Sequence, residues 1–365
     1  MDVCAATRAY ESWLVRAVPV VRPDLDRKHR LMAKDAFSFL RATFYRWSQR
    51  WPEECRQLLD APRVLAVADL HVENFGTWRD AEGRLIWGVN DFDEVTTLPY
   101  TQDLVRLATS AWLAIEQSCL RLRARQACAA ILEGYAESLR KGGEALVLAE
   151  RDRWLRDLAV ARLKDQRPFW QHLRSVHAPG VRAPKGMRRV LERALPSGVS
   201  EVRLVHRQAG LGSLGRLRLV ALARWHGAMV AREAKPLAPS AWLWARGARL
   251  RPTRYGEIIE RAVRVPDPCL ALHGRWLIRR LAPDCRRIEL ASLPRSRDED
   301  RLLSAMGWEL ANVHLGSAGA RRRILADLRT RGGRWLENAA GCMARTVERD
   351  WHTWRKRSGQ RSGEN

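Results

Sequence analysis

The stretch Val67-Ala-Asp-Leu-His-Val-Glu-Asn-Phe-Gly76, followed after a short predicted strand by Asn90-Asp-Phe-Asp-Glu94, decides how this chain reads. Asp69 and Asn74 stand five positions apart on a predicted loop that follows an apolar strand at Arg63 to Val67. Asp91 comes at the end of a second predicted strand, Leu85 to Asn90. Carboxylates and a carboxamide in this order can hold a metal ion together with the phosphates it binds, so the segment predicts a phosphoryl-transfer site.

Upstream, residues 1–60 read as helical, with Phe37, Phe39, Leu40, Phe44 and Trp47 at helical spacing on a buried face. Downstream, Asp103 to about Arg193 is again helical: Leu104, Leu107, Ala108, Ala111, Trp112 and Ile115 recur at threes and fours, and Gly142-Gly143 breaks the run. After Leu195-Pro-Ser-Gly198 the pattern turns to short strands at Glu201 to Arg207, Arg216 to Trp225, Ala228 to Glu233 and Trp276 to Leu281. A helix from Asp298 to His314 ends at Gly316. The expected divisions are an N-terminal helical segment (1–60), a catalytic-loop and helical lobe (61–195), a sheet-rich nucleotide-binding lobe (196–295), returning helices (296–350) and a basic disordered tail (351–365).

The 365 residues, 46% hydrophobic and 29% charged, suffice for a real core and exclude a disordered chain. The apolar stretch Trp13 to Val21 is interrupted by Arg16 and Pro19, so neither a signal peptide nor a membrane span is expected, and the location expected is cytoplasmic. Seven scattered cysteines without a C-x-x-C pair argue against a disulfide framework or a zinc site. The net charge of +24 favours acidic partners, yet the excess is spread along the whole chain and concentrates only in Trp354-Arg-Lys-Arg-Ser358, so a dedicated nucleic-acid role is not favoured.

Three roles suit the acidic motifs: Asp69 as the base for an acceptor hydroxyl, Asn74 as a metal ligand, and Asp91 as the bridge from metal to nucleotide phosphates. Asp93 is a candidate second metal contact, and His71 a candidate donor to a carboxylate or phosphate. Asp and Asn also cap turns, which is the ordinary role of either residue alone. Asp103 falls in a helix's first turn, where the dipole favours an acid, and reads as structural.

Far downstream, Ala209-Gly-Leu-Gly-Ser-Leu-Gly215 carries Gly210, Gly212, Ser213 and Gly215. A strand rather than a helix follows it, which suits a glycine hairpin over phosphates and not a dinucleotide fold. Lysine is scarce here, about one residue in fifty, so Lys235 at the end of the next predicted strand suits an ammonium for the α and β phosphates. Its acidic partner is expected from the following helix, at Glu257 or Glu260, either of which can also simply face solvent.

With these residues assembled, the chain resembles the bacterial domain of unknown function 2252 family (DUF2252) from about Leu31 to Ser317. The resemblance rests on Phe37-Ser-Phe-Leu-Arg41, the Asp-x-His-x-x-Asn-Phe-Gly loop at 69–76, Asn90 to Glu94, Asp103-Leu-Val-Arg-Leu-Ala108, the glycine loop and Leu310-Ala-Asn-Val-His314. The chain departs from that pattern at Ala68 and Ala42, where the family has glycine. More distantly, the family is similar to aminoglycoside-type phosphotransferases, in which the glycine loop and lysine come first, then a helix with a Leu-Ala-x-x-His ending, then the catalytic loop. Here the catalytic loop comes first, and the glycine loop, Lys235, a hinge expected at Leu277 to Leu281 and the helix ending at His314 follow.

The resemblance therefore implies a mostly helical α+β, two-lobed, protein-kinase-like fold that is circularly permuted. It implies a phosphotransferase using ATP and Mg²⁺ on an unidentified hydroxyl acceptor, with γ-phosphoryl or nucleotidyl transfer both open and the acceptor pocket expected from Asp103 to about Arg193. Two other readings stand beside it. Asp69-Leu-His71 also resembles the opening of a two-metal phosphoesterase, although the later Gly-Asn-His and Gly-His-x-His of that class are missing. A non-catalytic nucleotide- or nucleic-acid-binding protein is the third.

Overall fold

Capping and apolar spacing agree over the N-terminal quarter. Asp2 accepts the Ala5 amide at 2.8 Å and opens α1 (Val3–Ala17). Pro23 sits in the first turn of α2 (Arg22–Lys34), where a missing N–H leaves no hydrogen bond unmade. Asp35 accepts the Ser38 amide and starts α3 (Ala36–Ala42), and α4 (Phe44–Glu54) follows. In the computed structural model, which describes residues 1–148, 150, 153–160, 165–175, 182–249, 251–285 and 298–362, Phe37, Phe39, Leu40, Phe44 and Trp47 are all buried in the main core.

Next come β1 (Arg63–Ala66), β2 (Phe75–Arg79), β3 (Leu85–Val89) and β4 (Thr96–Pro99), with β1 paired to β4 and β2 to β3, both antiparallel. Strand β2 is a difference from the sequence reading, which ran the loop through Gly76. Phe75 pairs opposite Val89 and stacks on Trp87 at 5.2 Å, so the loop closes into a hairpin as soon as Asn74 is passed. Helices α5 (Tyr100–Glu116) and α6 (Ala124–Lys141) follow. The second stops at Gly142, whose φ of 91° is the left-handed cap expected of that glycine pair. The short β5 (Leu146–Val147) adds to β3, ahead of α7 (Arg153–Val160), α8 (Arg167–Ser175) and α9 (Met187–Ala194).

The remaining strands, β6 (Ser200–His206), β7 (Leu219–Trp225), β8 (Ala228–Pro236), β9 (Ala271–His273) and β10 (Trp276–Leu281), form one antiparallel sheet in the order β6-β7-β8-β10-β9. Alternate residues of β7 serve its two faces. Leu219, Ala221 and Ala223 pack with Met187 and Leu191 of α9, while Val220 and Leu222 pack with Leu173 of α8. Helices α10 (Ala241–Ala245), α11 (Tyr255–Arg261), α12 (Glu299–Leu315), α13 (Ala320–Thr330) and α14 (Trp335–Ser362) complete the chain.

The protein is thus mixed α+β with several sheets, and no helix among the described residues is long and apolar enough to cross a membrane. Two expectations are corrected. Leu277 to Leu281 is no hinge but lies inside β10, paired along one edge to β8 and over Leu277 and Ile278 to β9. The tail expected to be disordered from 351 is helical through Ser362, because Trp351 and Trp354 pack on the main core. The expected lobe boundary at 295/296 lies outside the described residues.

Helices α6 and α12 cross with their backbones in near contact. A Cβ on Gly134 would lie 1.9 Å from the Ser304 carbonyl oxygen, and one on Gly307 would lie 2.0 Å from that of Ile131. Beside this crossing Glu309 of α12 is buried, accepts the Val89 amide at 3.2 Å and meets Asn312 at 3.1 Å. Burial pushes its carboxyl up to about 7, against the opposing pull of Arg264. A raised acid pKa means the native state holds a proton that the unfolded chain releases, so this contribution is complete below about 4.5 and is lost as pH rises through about 7. The expected loss is about 3 kcal/mol across that window. Urea unfolding from pH 5 to 8 checks it: Glu309→Gln should flatten the slope, and an unchanged slope would assign it to other groups.

Candidate functional site

Strand β1 leads into the loop that carries Asp69, and α5 holds that loop from behind. Asp103, fully buried in the helix's first turn, accepts the Val67 amide at 2.7 Å and the Ala68 amide at 2.9 Å. Gln102 donates to the Ala68 carbonyl at 2.9 Å. His314, near the end of α12, bonds the same Asp103 carboxylate at 3.1 Å and the Tyr135 hydroxyl at 2.7 Å. Asp103 is structural, as its position in the helix suggests, but its task is to fix the loop.

These bonds hold Ala68 at φ 71°, the left-handed region where the resembled pattern has glycine. The Cβ there costs about 1–2 kcal/mol, part of which glycine returns through its freer unfolded chain. Ala68→Gly is expected to stabilise the fold by about 0.5–1 kcal/mol. A lowered urea midpoint would show that the strain is not felt.

Asp69 itself is met by Arg106 of α5, whose Nε donates to Oδ1 at 3.0 Å and whose Nη2 also reaches that oxygen. Arg106 is fully buried, with its guanidinium over the Phe44 and Trp47 rings and a 2.9 Å bond to the Leu40 carbonyl. Burial raises the Asp69 pKa in spite of that cation. Three residues apart on one helical face, Asp103 sets the loop's backbone and Arg106 sets its carboxylate.

Asn74 closes the loop: its Oδ1 accepts the His71 amide at 2.7 Å, its own amide reaches the His71 carbonyl at 2.8 Å, and its carbonyl accepts the Asn90 amide at 3.0 Å. The two acidic motifs are therefore joined through Asn74. The Nδ1 of His71 accepts the Glu73 amide at 3.2 Å, which places the proton of the neutral ring on Nε2.

The second motif meets the distant sheet. Lys235, buried on β8, donates to Asp91 at 3.1 Å and lies 2.6 Å from Asp93. Burial would raise the Asp91 carboxyl, but Lys235, Arg218 and Arg279 outweigh it and hold the group well below the usual range. Asp93 moves the other way, raised by burial and by the charge of Asp91. Glu94 accepts the Ala241 amide at 2.6 Å and pairs with Arg216 at 3.2 Å.

The glycine loop lies on Asp69. A Cβ on Gly212 would sit 3.3 Å from Asp69 Oδ2 and 3.1 Å from the Arg41 carbonyl oxygen, so only glycine brings this backbone so close without pressing on the acid. The N-terminal segment pins the loop: Lys28 Nζ donates to the Gly212 carbonyl at 2.7 Å, the Val21 amide to that of Gly215 at 2.8 Å, and the Leu217 amide to that of Pro19 at 3.0 Å. Gly210 and Gly215 take φ of 71° and 102°, and Ser213 bonds Arg218. Asp69, His71, Asn74, Asp91, Asp93, Gly210, Gly212 and Ser213 all line one cavity of about 250 Å³. Tyr10, Lys28, Arg41 and Tyr45 of the N-terminal segment also line it, whereas among the described residues after Asp103 in the helical stretch Phe169 of α8 alone does.

The expected acid for Lys235 is corrected. Glu257 pairs with Arg254 and Arg261, and Glu260 is exposed, so neither reaches the lysine. The buried acid of the sheet is instead Glu233, two residues before Lys235 on the same face of β8. It takes Arg207 at 2.7 Å, Arg218 at 3.1 Å and Arg279 at 2.7 Å, and after the cost of burial these cations hold its carboxyl well below the usual range. Sequence reasoning missed Glu233, the three arginines and Arg106. The signals were the Glu-x-Lys alternation along β8 and the Asp-x-x-Arg spacing along α5.

No curated protein and no solved structure matches the chain. Residues 21–173 match the profile of a bacterial family described as an uncharacterized protein conserved in bacteria (DUF2252), a span that takes in both acidic motifs with their Asp103 and Arg106 supports and stops short of the glycine loop.

Proposed function

We propose that this chain is a kinase-like phosphotransferase of permuted order, using ATP and Mg²⁺ on a hydroxyl acceptor. The observation that carries the reading is the meeting of Lys235 with Asp91 across 144 residues of sequence, beside a glycine loop laid over Asp69. The permuted order is supported by a second contact. Ser317, two residues past α12, accepts the Leu65 amide at 2.8 Å, so the end of that helix adjoins the strand that leads into the catalytic loop.

In this reading Asp69 takes the acceptor's proton, its basicity raised by burial and its orientation set by Arg106. Lys235 and the loop amides hold phosphate oxygens, and the buried wall behind them excludes water. The donor set suits magnesium, which takes oxygen ligands from one or two carboxylates and completes its shell with phosphates and water. Asp91 supplies an ionised carboxylate and Asn74 an amide oxygen with a second lone pair. Bound there, the ion would neutralise charge developing on the transferred phosphoryl group.

The cavity, about 250 Å³, lies just below the usual ligand-pocket range of about 300–1,000 Å³. Thermal-shift titration tests the proposal. ATP with Mg²⁺ at a hundred times its Kd should stabilise the protein by about 2.7 kcal/mol, and Asp91→Ala should abolish the gain. No stabilisation, or an equal one in the variant, would overturn it.

A further inference from the structure

Glu233 is one carboxylate among three guanidinium groups. Arg207 approaches its Oε1, while Arg218 and Arg279 share its Oε2. Arginine does not shed its proton in proteins, so Glu233 alone does not neutralise the three. Asp91 and Asp93 set two carboxylates against the single ammonium of Lys235, which leaves one positive charge over among the four cations and three acids. The Nε atoms of Arg207 and Arg218 are buried and have no hydrogen-bond partner among the described residues. Arg218 is buried and Arg207 and Arg279 are partly buried, and a buried donor left unused is costly unless an acceptor such as an anion completes it.

Their placement is built rather than accidental. Arg279 of β10 stands in register opposite Glu233 of β8, Arg207 leaves the end of β6, and Arg218 precedes β7, so arginines from both sides of β8 converge on one acid. All three arginines line the same cavity as Asp91 and the glycine loop. Flat guanidinium forks match phosphate oxygens two at a time, which an ammonium such as Lys235 does not. Arg218 and Arg279 act on the Asp91 carboxyl, which puts the cluster within electrostatic reach of the proposed metal ligand.

We infer that Arg207, Arg218 and Arg279, gathered on Glu233, form an oligophosphate subsite continuous with Asp91 that holds the phosphate chain of a nucleoside triphosphate. This rests on the nucleotide reading above and adds to it. In it the grip on the phosphates comes from an arginine cluster on the sheet as well as from Lys235.

The test is calorimetric titration of inorganic tripolyphosphate, without magnesium, into the full-length protein and into Arg207→Gln, Arg279→Gln and the exposed control Arg301→Gln. Binding should weaken at least tenfold in each of the first two and remain unchanged in the control. Equal affinity in all four proteins, or an equal loss in Arg301→Gln, would mean general attraction to a basic surface and would overturn the subsite. If either glutamine variant fails to fold, the lysine variant at that position keeps the charge, and loss of the fork alone should still weaken binding several-fold. An ATP arm separates the two proposals. ATP that binds equally well in Arg207→Gln and Arg279→Gln removes the subsite and leaves the nucleotide reading standing. Tripolyphosphate binding that follows the arginines while ATP fails to bind or to displace it removes the nucleotide as ligand and the inference with it, leaving only an anion site.

Discussion

Asp69→Asn is expected to lower turnover by about 10²–10⁴-fold while ATP binding stays within about twofold. The amide keeps an oxygen for the Arg106 guanidinium, which lies 3.0 Å from Oδ1 through Nε, so the loop retains its shape while the basic carboxylate is gone. Alanine would be the wrong probe. Arg106 is wholly buried, and removing its only charged partner among the described contacts would cost about 3–5 kcal/mol, confusing lost chemistry with lost fold. Because burial raises the Asp69 pKa, the rate should also fall on the acid side at a higher pH than an ordinary aspartate would give. A steady-state assay of phosphate release or transfer reads both effects. An unchanged rate in Asp69→Asn would remove the residue from the base role.

A large stability effect is expected at Asp103, which no substrate need touch. Asp103→Ala removes the acceptor of two backbone amides at 2.7 and 2.9 Å and of His314 at 3.1 Å, all in the interior. Each stranded buried donor costs about 1–3 kcal/mol, so the total expected is about 3–5 kcal/mol. Asn at this position should recover part of the loss, since its single oxygen serves one amide while its NH₂ opposes the other. Urea unfolding gives the number. A loss under about 1 kcal/mol would show that the loop is held by Gln102 and the chain alone.

Local features were legible because their causes are local. The break at Gly142, the α12 helix and the strands after Gly198 follow from spacing and turn chemistry that any short window contains. The loop from Asp69 to Asn74 was likewise readable, since an Asx closure needs only those six residues. What escaped were pairings between distant segments. Nothing near Lys235 says that its acids are Asp91 and Asp93 rather than Glu257. That choice is made by the register of β8 on β10 and by the way the sheet packs against the loop. The pinning of the glycine loop by residues 19–28 escaped for the same reason, and so did the helical continuation past 351, where charge suggested disorder but two tryptophans find the core.

The bond between Leu65 and Ser317 also sets a timetable for synthesis. At roughly 5–20 residues per second, a ribosome needs on the order of 10–50 s to add the 252 residues between them. Through that interval the nascent chain carries the acidic loop, Asp103 without His314, and the small-residue face of α6 at Gly134 without α12 to cover it. A fragment ending near 173 would stay in that condition, so the stretch that carries the acidic motifs should be insoluble by itself and become foldable once α12 has been made.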